Sequence, residues 1–388
     1  MSNGFYQVSP TFSSSYLGQL TSLRFFAAIG IFVLHARNHN LIPSDFLFSL
    51  NLSNCVSFFF VLSGFIIAYA YEGRSYVLSA FYKSRFSRIW PAAAFSTLIV
   101  LILLPTALYL PGTDNYILYL AILFLNLLGL QAWFPVPSVF FSFNAVTWSI
   151  SVEAFFYLCF PFLHRLRTNK IVLLFLLSSL GLILFSGLLS FLSVPFYSRD
   201  FINRDVVEGW IYVNPLARLP EFILGIIGFK LFYSTFLSRL TGSLNFFSSS
   251  IRSYLAAVFG TTSIICFFYL AFHDLHFGLP LPFALVLNRL LSSLNFLFLI
   301  LTTSLSRGPL IQLLRSPLFV LLGEISYGVY LYHQPLMIFS VQSGGLKFAG
   351  IQILPQSFIV ILVATLVLAM ASFFWIERPS NRFLRRLT

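Results

Sequence analysis

The chain has 388 residues, of which 58% are hydrophobic, 19% aromatic and only 9% charged, with a formal net charge of +12. Soluble domains carry about 25% charged residues, so these proportions exclude a soluble enzyme and point to a polytopic membrane protein. The Lys and Arg residues fall in short loops between apolar runs rather than along one face, a pattern that orients a chain toward lipid headgroups and argues against nucleic acid as a partner.

Residues 1–19 are polar and Ser-rich, and no Lys or Arg precedes Arg24. The charged n-region of a cleavable signal is therefore missing, and a cytoplasmic N-terminus is expected. Ten segments then approach the roughly 20 apolar residues that a hydrocarbon core requires. They cover about 20–36, 52–71, 90–110, 145–163, 171–193, 215–237, 253–272, 281–303, 317–341 and 357–376. Backbone groups in lipid need partners within their own segment, so these are helices. The expected fold is an all-α transmembrane helix bundle of about ten spans.

An eleventh stretch, "YILYLAILFLNLLGL" from Tyr116, is short. If it crossed, the basic cluster "HRLRTNK" from His164 would change sides and oppose the positive-inside tendency. Residues 112–144 are accordingly expected as a re-entrant or interfacial excursion on the outer side. Most basic residues then lie inside, with Arg37, Arg199, Arg204 and Lys347 outside. Residues 377–388 form a basic cytoplasmic tail. No internal repeat or soluble domain is visible, so residues 1–388 read as one membrane domain.

Charged groups inside spans cost about 2.5–3.5 kcal/mol each on insertion scales, which marks them as functional or as bundle interior. Arg24 and His35 are eleven residues apart, about 16 Å along a helix and only about 20° off the same face. Snorkelling to the two headgroup layers is the plainer explanation for that pair alone. Glu153 lies deep in a later span, Arg218 and Glu221 one turn apart in another, and Glu324, Tyr327, Tyr330 and His333 in a third. A structural ion pair explains Arg218 with Glu221, but not so many ionisable groups on separate helices. Arg85 and Arg88, at i and i+3, can hold one phosphate between two planar forks, or simply bind headgroups. Cys55, Cys159 and Cys266 sit in apolar runs without pairing or ligand spacing, so neither a disulfide nor a metal site is expected.

Taken in order, "LTSLRFFAAIGIFVLHA", "SFFFVLSGFIIAY", "FYKSRFSRIWPAAAF", "NAVTWSISVEAFFYLCFP", "RLPEFILGI" and "LGEISYGVYLYHQPL" resemble the acyltransferase-3 family of integral-membrane O-acyltransferases. The chain departs from the family pattern at Ala154 and Phe155, where an acidic–glutamine pair is usual. Some relatives also carry a C-terminal SGNH-type domain, and the sequence continues only to "IERPSNRFLRRLT", so a stand-alone membrane module is expected.

The resemblance implies transfer of an acyl group, expected to be acetyl, from cytoplasmic acyl-CoA to a hydroxyl. The acceptor would be a sugar of a cell-surface polysaccharide or of its lipid-linked precursor, and the setting a bacterial cytoplasmic membrane with both termini inside. Arg24, Arg85 and Arg88 would bind the donor. His35 would act as general base or acyl carrier, with Glu153 orienting an imidazole or a bound arginine. Arg218, Glu221, Tyr330 and His333 would shape or support the acceptor pocket. The competing class is a transporter, because buried charges also line substrate paths, although no pair of broken helices in related halves is visible.

Overall fold

A computed structural model of the chain describes residues 17–43, 51–105, 115–197, 202–233, 279–305, 308–343, 346–348, 351–354 and 357–386. The helices are α1 Gly18–Asn38, α2 Cys55–Tyr71, α3 Leu78–Leu103, α4 Tyr116–Leu128 and the single turn α5 Pro137–Phe140. There follow α6 Trp148–His164, α7 Thr168–Phe191, α8 Pro215–Tyr233, α9 Leu281–Leu305, the short α10 Pro309–Leu314, α11 Pro317–Gln342, α12 Phe358–Ser372 and α13 Arg378–Arg386. Two π-helical turns, Gly209–Val213 and Phe373–Glu377, precede α8 and join α12 to α13. A small antiparallel hairpin, Leu346–Phe348 with Ile351–Leu354, follows α11.

Among the described residues, seven helices are long and apolar enough to cross a membrane: α1, α2, α3, α6, α7, α9 and α12 with its continuation. The expected spans 215–237 and 317–341 correspond to α8 and α11. At 19 and 26 residues these reach about 28 Å and 39 Å, and both carry charged or polar side chains within their length. The expected span 253–272 lies outside the described residues.

The bundle is organised around two closely packed helix pairs. α1 and α11 run parallel: Thr21 meets Gly323 near one end, and His35 meets His333 near the other. α2 and α8 also run parallel, with Gly64 against the backbone of Phe222 and Ile226, and Gly225 against the backbone of Val61 and Phe65. A Cβ at Gly64, Gly225 or Gly323 would collide with a main-chain atom of the facing helix. Small residues are what let helices approach this closely where lipid offers no hydrophobic drive to associate. By contrast α7 leaves Leu173, Leu176, Leu177, Leu180, Leu184 and Leu188 exposed, as suits a helix facing hydrocarbon.

Two segments differ in detail from their sequence patterns. The span expected at 90–110 is a helix over Leu78–Leu103 with Pro91 inside it. Proline favours the first turn of a helix, so Trp90-Pro91 reads as a start. Here the preceding turns are held by packing: Phe81 stacks on Phe160 at 5.4 Å, and Ser87 donates to Asn381 Oδ1 at 3.0 Å. α4 begins where the Asn115 side chain accepts from the Ile117 and Leu118 amides, and it ends at Gly129, whose φ of 67° is left-handed. Thirteen residues reach only about 20 Å. Ile122 packs with Val100 and Leu104 of the α3 end, and Gly129 lies against the Trp90 ring. The segment thus descends along half of α3 and turns back at its middle.

Gly64→Ala should lower thermal stability in detergent strongly, by the roughly 1–3 kcal/mol of an overpacked core or more, because the obstructing atoms are backbone. Gly181→Ala and Gly187→Ala, whose added Cβ meets nothing within 4 Å, should be neutral or gain up to about 1 kcal/mol of helix propensity. Equal melting temperatures for Gly64→Ala and Gly187→Ala would refute the close α2–α8 contact.

Candidate active site

Polar side chains gather at two levels of the bundle. At one level, α1, α2, α9, α11, the loop 137–148 and residues 196–197 and 202–212 line a cavity of about 990 Å³. His35, His39, Asn54, Trp148, Glu208, Tyr212, Arg289, Tyr330 and Gln334 are among the groups lining it. His35 Nδ1 lies 2.8 Å from His333 Nε2, with the two rings stacked at 4.9 Å and 27°. His333 Nδ1 lies 3.1 Å from the Val329 carbonyl oxygen.

These contacts fix the protons on the neutral rings. A carbonyl oxygen only accepts, so His333 carries its proton on Nδ1 and presents a bare Nε2. His35 must then donate from Nδ1, which leaves its own Nε2 as the nitrogen with a free lone pair. His333 is wholly buried and orients His35 from behind. Tyr330 donates from its hydroxyl to the Val146 carbonyl at 3.1 Å, which ties α11 to the cavity loop. Beyond the end of α1, burial holds the His39 imidazole below its ordinary range, so it is neutral at pH 7.

Arg218 and Glu221 support this cavity without lining it. They are 0% and 1% exposed, and their charged atoms pair at 2.8 Å. Ser57 of α2 donates to the same Glu221 oxygen at 2.8 Å, and Arg289 of α9 approaches it at 3.5 Å. Arg218 Nε donates to the Tyr212 carbonyl at 2.6 Å, and its guanidinium lies 4.2 Å from the Tyr212 ring centroid. Arg289 donates to the carbonyls of Ile211 and, at 3.0 Å, Ala217. One carboxylate therefore faces two guanidinium groups, and together they fasten the π turn that forms a wall of the cavity. Arg218 and Glu221 thus support the pocket, while Arg289, a charge within the expected span 281–303, reaches its surface.

The second level lies toward the start of α1. Arg85 is 9% exposed and sits among the rings of Tyr71, Phe81 and Tyr157 at 5.6–5.9 Å. Arg88, one turn on, is exposed. The two therefore do not form a matched pair of surface forks; one points into an aromatic cage and the other outward. Both act electrostatically on Tyr157, and Arg88 and Arg24 both act on Glu377. Tyr327 closes this level by donating to the Ile89 carbonyl at 2.6 Å. Glu153 belongs here as well. It accepts from Tyr157 and, at 3.4 Å, from Ser63, and neither bond reaches an imidazole. Of the groups expected around His35, the structure brings His333 to it and leaves Glu153 with Tyr157.

The arrangement is a base-bearing cavity at one end and a cationic, aromatic cluster at the other, with α1 running between them. The family profile described as "Acyltransferase domain" matches residues 17–378. The acyltransferase MdmB of Streptomyces mycarofaciens is 29% identical, over 82% of this chain and 78% of that protein. The O-acetyltransferase OatA of Staphylococcus aureus is 25% identical, over 97% of this chain but only 59% of its own length. No solved structure matches.

Glu221→Ala would leave two buried guanidinium groups without a counter-charge and should cost about 3–5 kcal/mol of stability. Arg289→Met, which leaves the Arg218–Glu221 pair balanced, should cost clearly less. Thermal unfolding of the purified variants tests the order, and the reverse order would refute the shared carboxylate as the anchor.

Proposed function

The chain belongs to this acyltransferase family and is a membrane O-acyltransferase; from that premise we propose that it moves an acyl group, acetyl in the simplest case, from cytoplasmic acyl-CoA to a hydroxyl bound in the His35 cavity. The acceptor is a sugar of a surface polysaccharide or its lipid-linked precursor. The observation that carries this reading is the His35–His333 contact, because it leaves a basic nitrogen on a cavity-lining ring.

In the proposed reaction His35 Nε2 takes the proton of the acceptor hydroxyl as its oxygen attacks the thioester carbonyl carbon. The carbon–sulfur bond then breaks, and the CoA thiolate leaves with a proton. Arg88 and Arg24 meet the donor's phosphates at a cytoplasmic vestibule, and the caged Arg85 fixes the wall behind them. Glu153 and Tyr157 stand where the thioester arm enters. The cavity thus faces the outer side and the vestibule the cytoplasm of a bacterial inner membrane, with residues 1–388 acting as one membrane domain. Ten crossings, with α4 and the loop after it re-entrant from the outside, place both termini in the cytoplasm. The positive-inside distribution supports this orientation, since Lys83, Arg165, Arg167, Lys170 and Arg378 fall on the vestibule side.

His35→Ala should lower turnover by roughly 10²-fold to 10⁴-fold, the usual contribution of a positioned base, with acyl-CoA binding retained. Arg88→Ala should raise the acyl-CoA KM about tenfold or more at unchanged melting temperature, as a lost charge-assisted bond is worth about 1.5–3 kcal/mol. Arg85→Ala should also lose stability. Steady-state kinetics in nanodiscs give these values, and a stable His35→Ala protein with near-native turnover would overturn the mechanism.

Orientation is tested separately with single cysteines at two exposed positions. A membrane-impermeant maleimide applied to intact cells should label Asn203→Cys and spare Asn169→Cys. Labelling of the second and not the first would invert the proposed topology.

A further inference from the structure

Glu208 lies one residue before the π turn Gly209–Val213, and its side chain lines the same cavity as His35. Among the described residues no hydrogen bond or ion pair engages its carboxyl, and its position is nevertheless tightly set. The Val206 amide donates to the Pro135 carbonyl at 3.0 Å, the Val207 amide to the Pro195 carbonyl at 2.9 Å, and Gly209 rests on the Pro135 backbone, where a Cβ would come within 2.6 Å. Two loops therefore clamp the backbone on either side of an unpaired acid. Half-buried in the cavity wall, that carboxyl is pushed up to about 7 by desolvation, with no protein donor to offset it.

The surroundings indicate what would partner it. Rings of Phe141, Trp148 and Tyr212 line the cavity with it and offer flat apolar faces of the kind that cover the C–H face of a sugar ring. Arg37 and Arg289 also line the cavity, so an ammonium ligand would enter against two positive charges. A hydroxyl donor satisfies the acid without that penalty.

Resting on the acyl-transfer reading above, we propose that Glu208 binds the acceptor: its carboxyl accepts hydrogen bonds from hydroxyls of the same polyhydroxylated ring that is acylated, and so decides which of its hydroxyls faces His35. It is a specificity-determining residue and takes no part in moving the acyl group.

The test uses the purified full chain in nanodiscs with radiolabelled acetyl-CoA and a panel of methyl glycosides of hexoses, 6-deoxyhexoses and N-acetylhexosamines. With the best acceptor, Glu208→Ala should raise the acceptor KM at least tenfold and leave the acetyl-CoA KM within twofold. Glu208→Gln, which retains one acceptor oxygen, should fall between. Monodeoxy derivatives of that glycoside supply a second reading: the one lacking the hydroxyl held by Glu208 should be as poor with the native protein as the parent is with Glu208→Ala, and combining the two losses should add little. A native acceptor KM in Glu208→Ala overturns the proposal while leaving acyl transfer intact. So does an equal rise in both KM values, which would mark a folding role, or a preference for an aminoglycoside that vanishes in Glu208→Ala, which would mark a cation site. If the native protein transfers acetyl to no glycoside, the acyl-transfer reading fails and this inference fails with it.

Discussion

A single buried carboxylate organises one end of this protein. Glu221 is almost wholly out of contact with solvent, yet it holds Arg218, Arg289 and the Ser57 hydroxyl. Such a group is tolerable in a membrane bundle only because its partners come from three different helices, which the carboxylate thereby ties together. Both arginines also donate to main-chain carbonyls of the π turn, and Arg289 to one in the first turn of α8. The turn carries Tyr212 at its fourth position and Glu208 just ahead of it. The cavity wall is thus an extension of an ion cluster that itself lies behind the wall.

The opposite wall has a different construction. What sets the separation of α1 and α11 is the Gly323 backbone contact at one end and the stacked imidazoles at the other. Arg24 and His35 share α1, so the vestibule and the cavity are connected by one continuous helix whose neighbour is fixed against it at two points. Electrostatic anchoring on one side and steric anchoring on the other leave the space between them as the place where a substrate fits.

Much of this was legible in the sequence. A chain this apolar has to be helical, and the spacing of Arg24 and His35 put them on one stripe of a helix that does cover both. The short length of the segment from Tyr116 also showed, because length in a membrane is a hard constraint. Other features left weaker traces. Pro91 signals a helix start by local preference, and only the distant partners Phe160 and Asn381 carry α3 through it. Arg85 and Arg88 look equivalent by spacing, whereas the rings that enclose Arg85 come from α2, α3 and α6. The meeting of His35 with His333 spans almost the whole chain, and nothing local announces it. Arg289 did carry a signal, a charge inside an apolar run, but its partner could not be named without the packing of α9 on α8. Glu208 sits in an irregular turn, where no periodicity marks an inward face.

The hydrogen-bond order of the two imidazoles has a consequence for charge. A proton arriving at His35 Nε2 can be shared with His333 through the bond between the rings, but His333 ends on the Val329 carbonyl, which cannot be protonated. The chain of donors has no outlet to bulk water on that side. In the proposed chemistry the pair therefore works as a proton store closed at its His333 end: the proton removed from the alcohol remains beside the reacting carbon, its positive charge opposes the negative charge growing on the carbonyl oxygen, and it leaves by returning through Nε2 into the cavity, where the departing sulfur can take it.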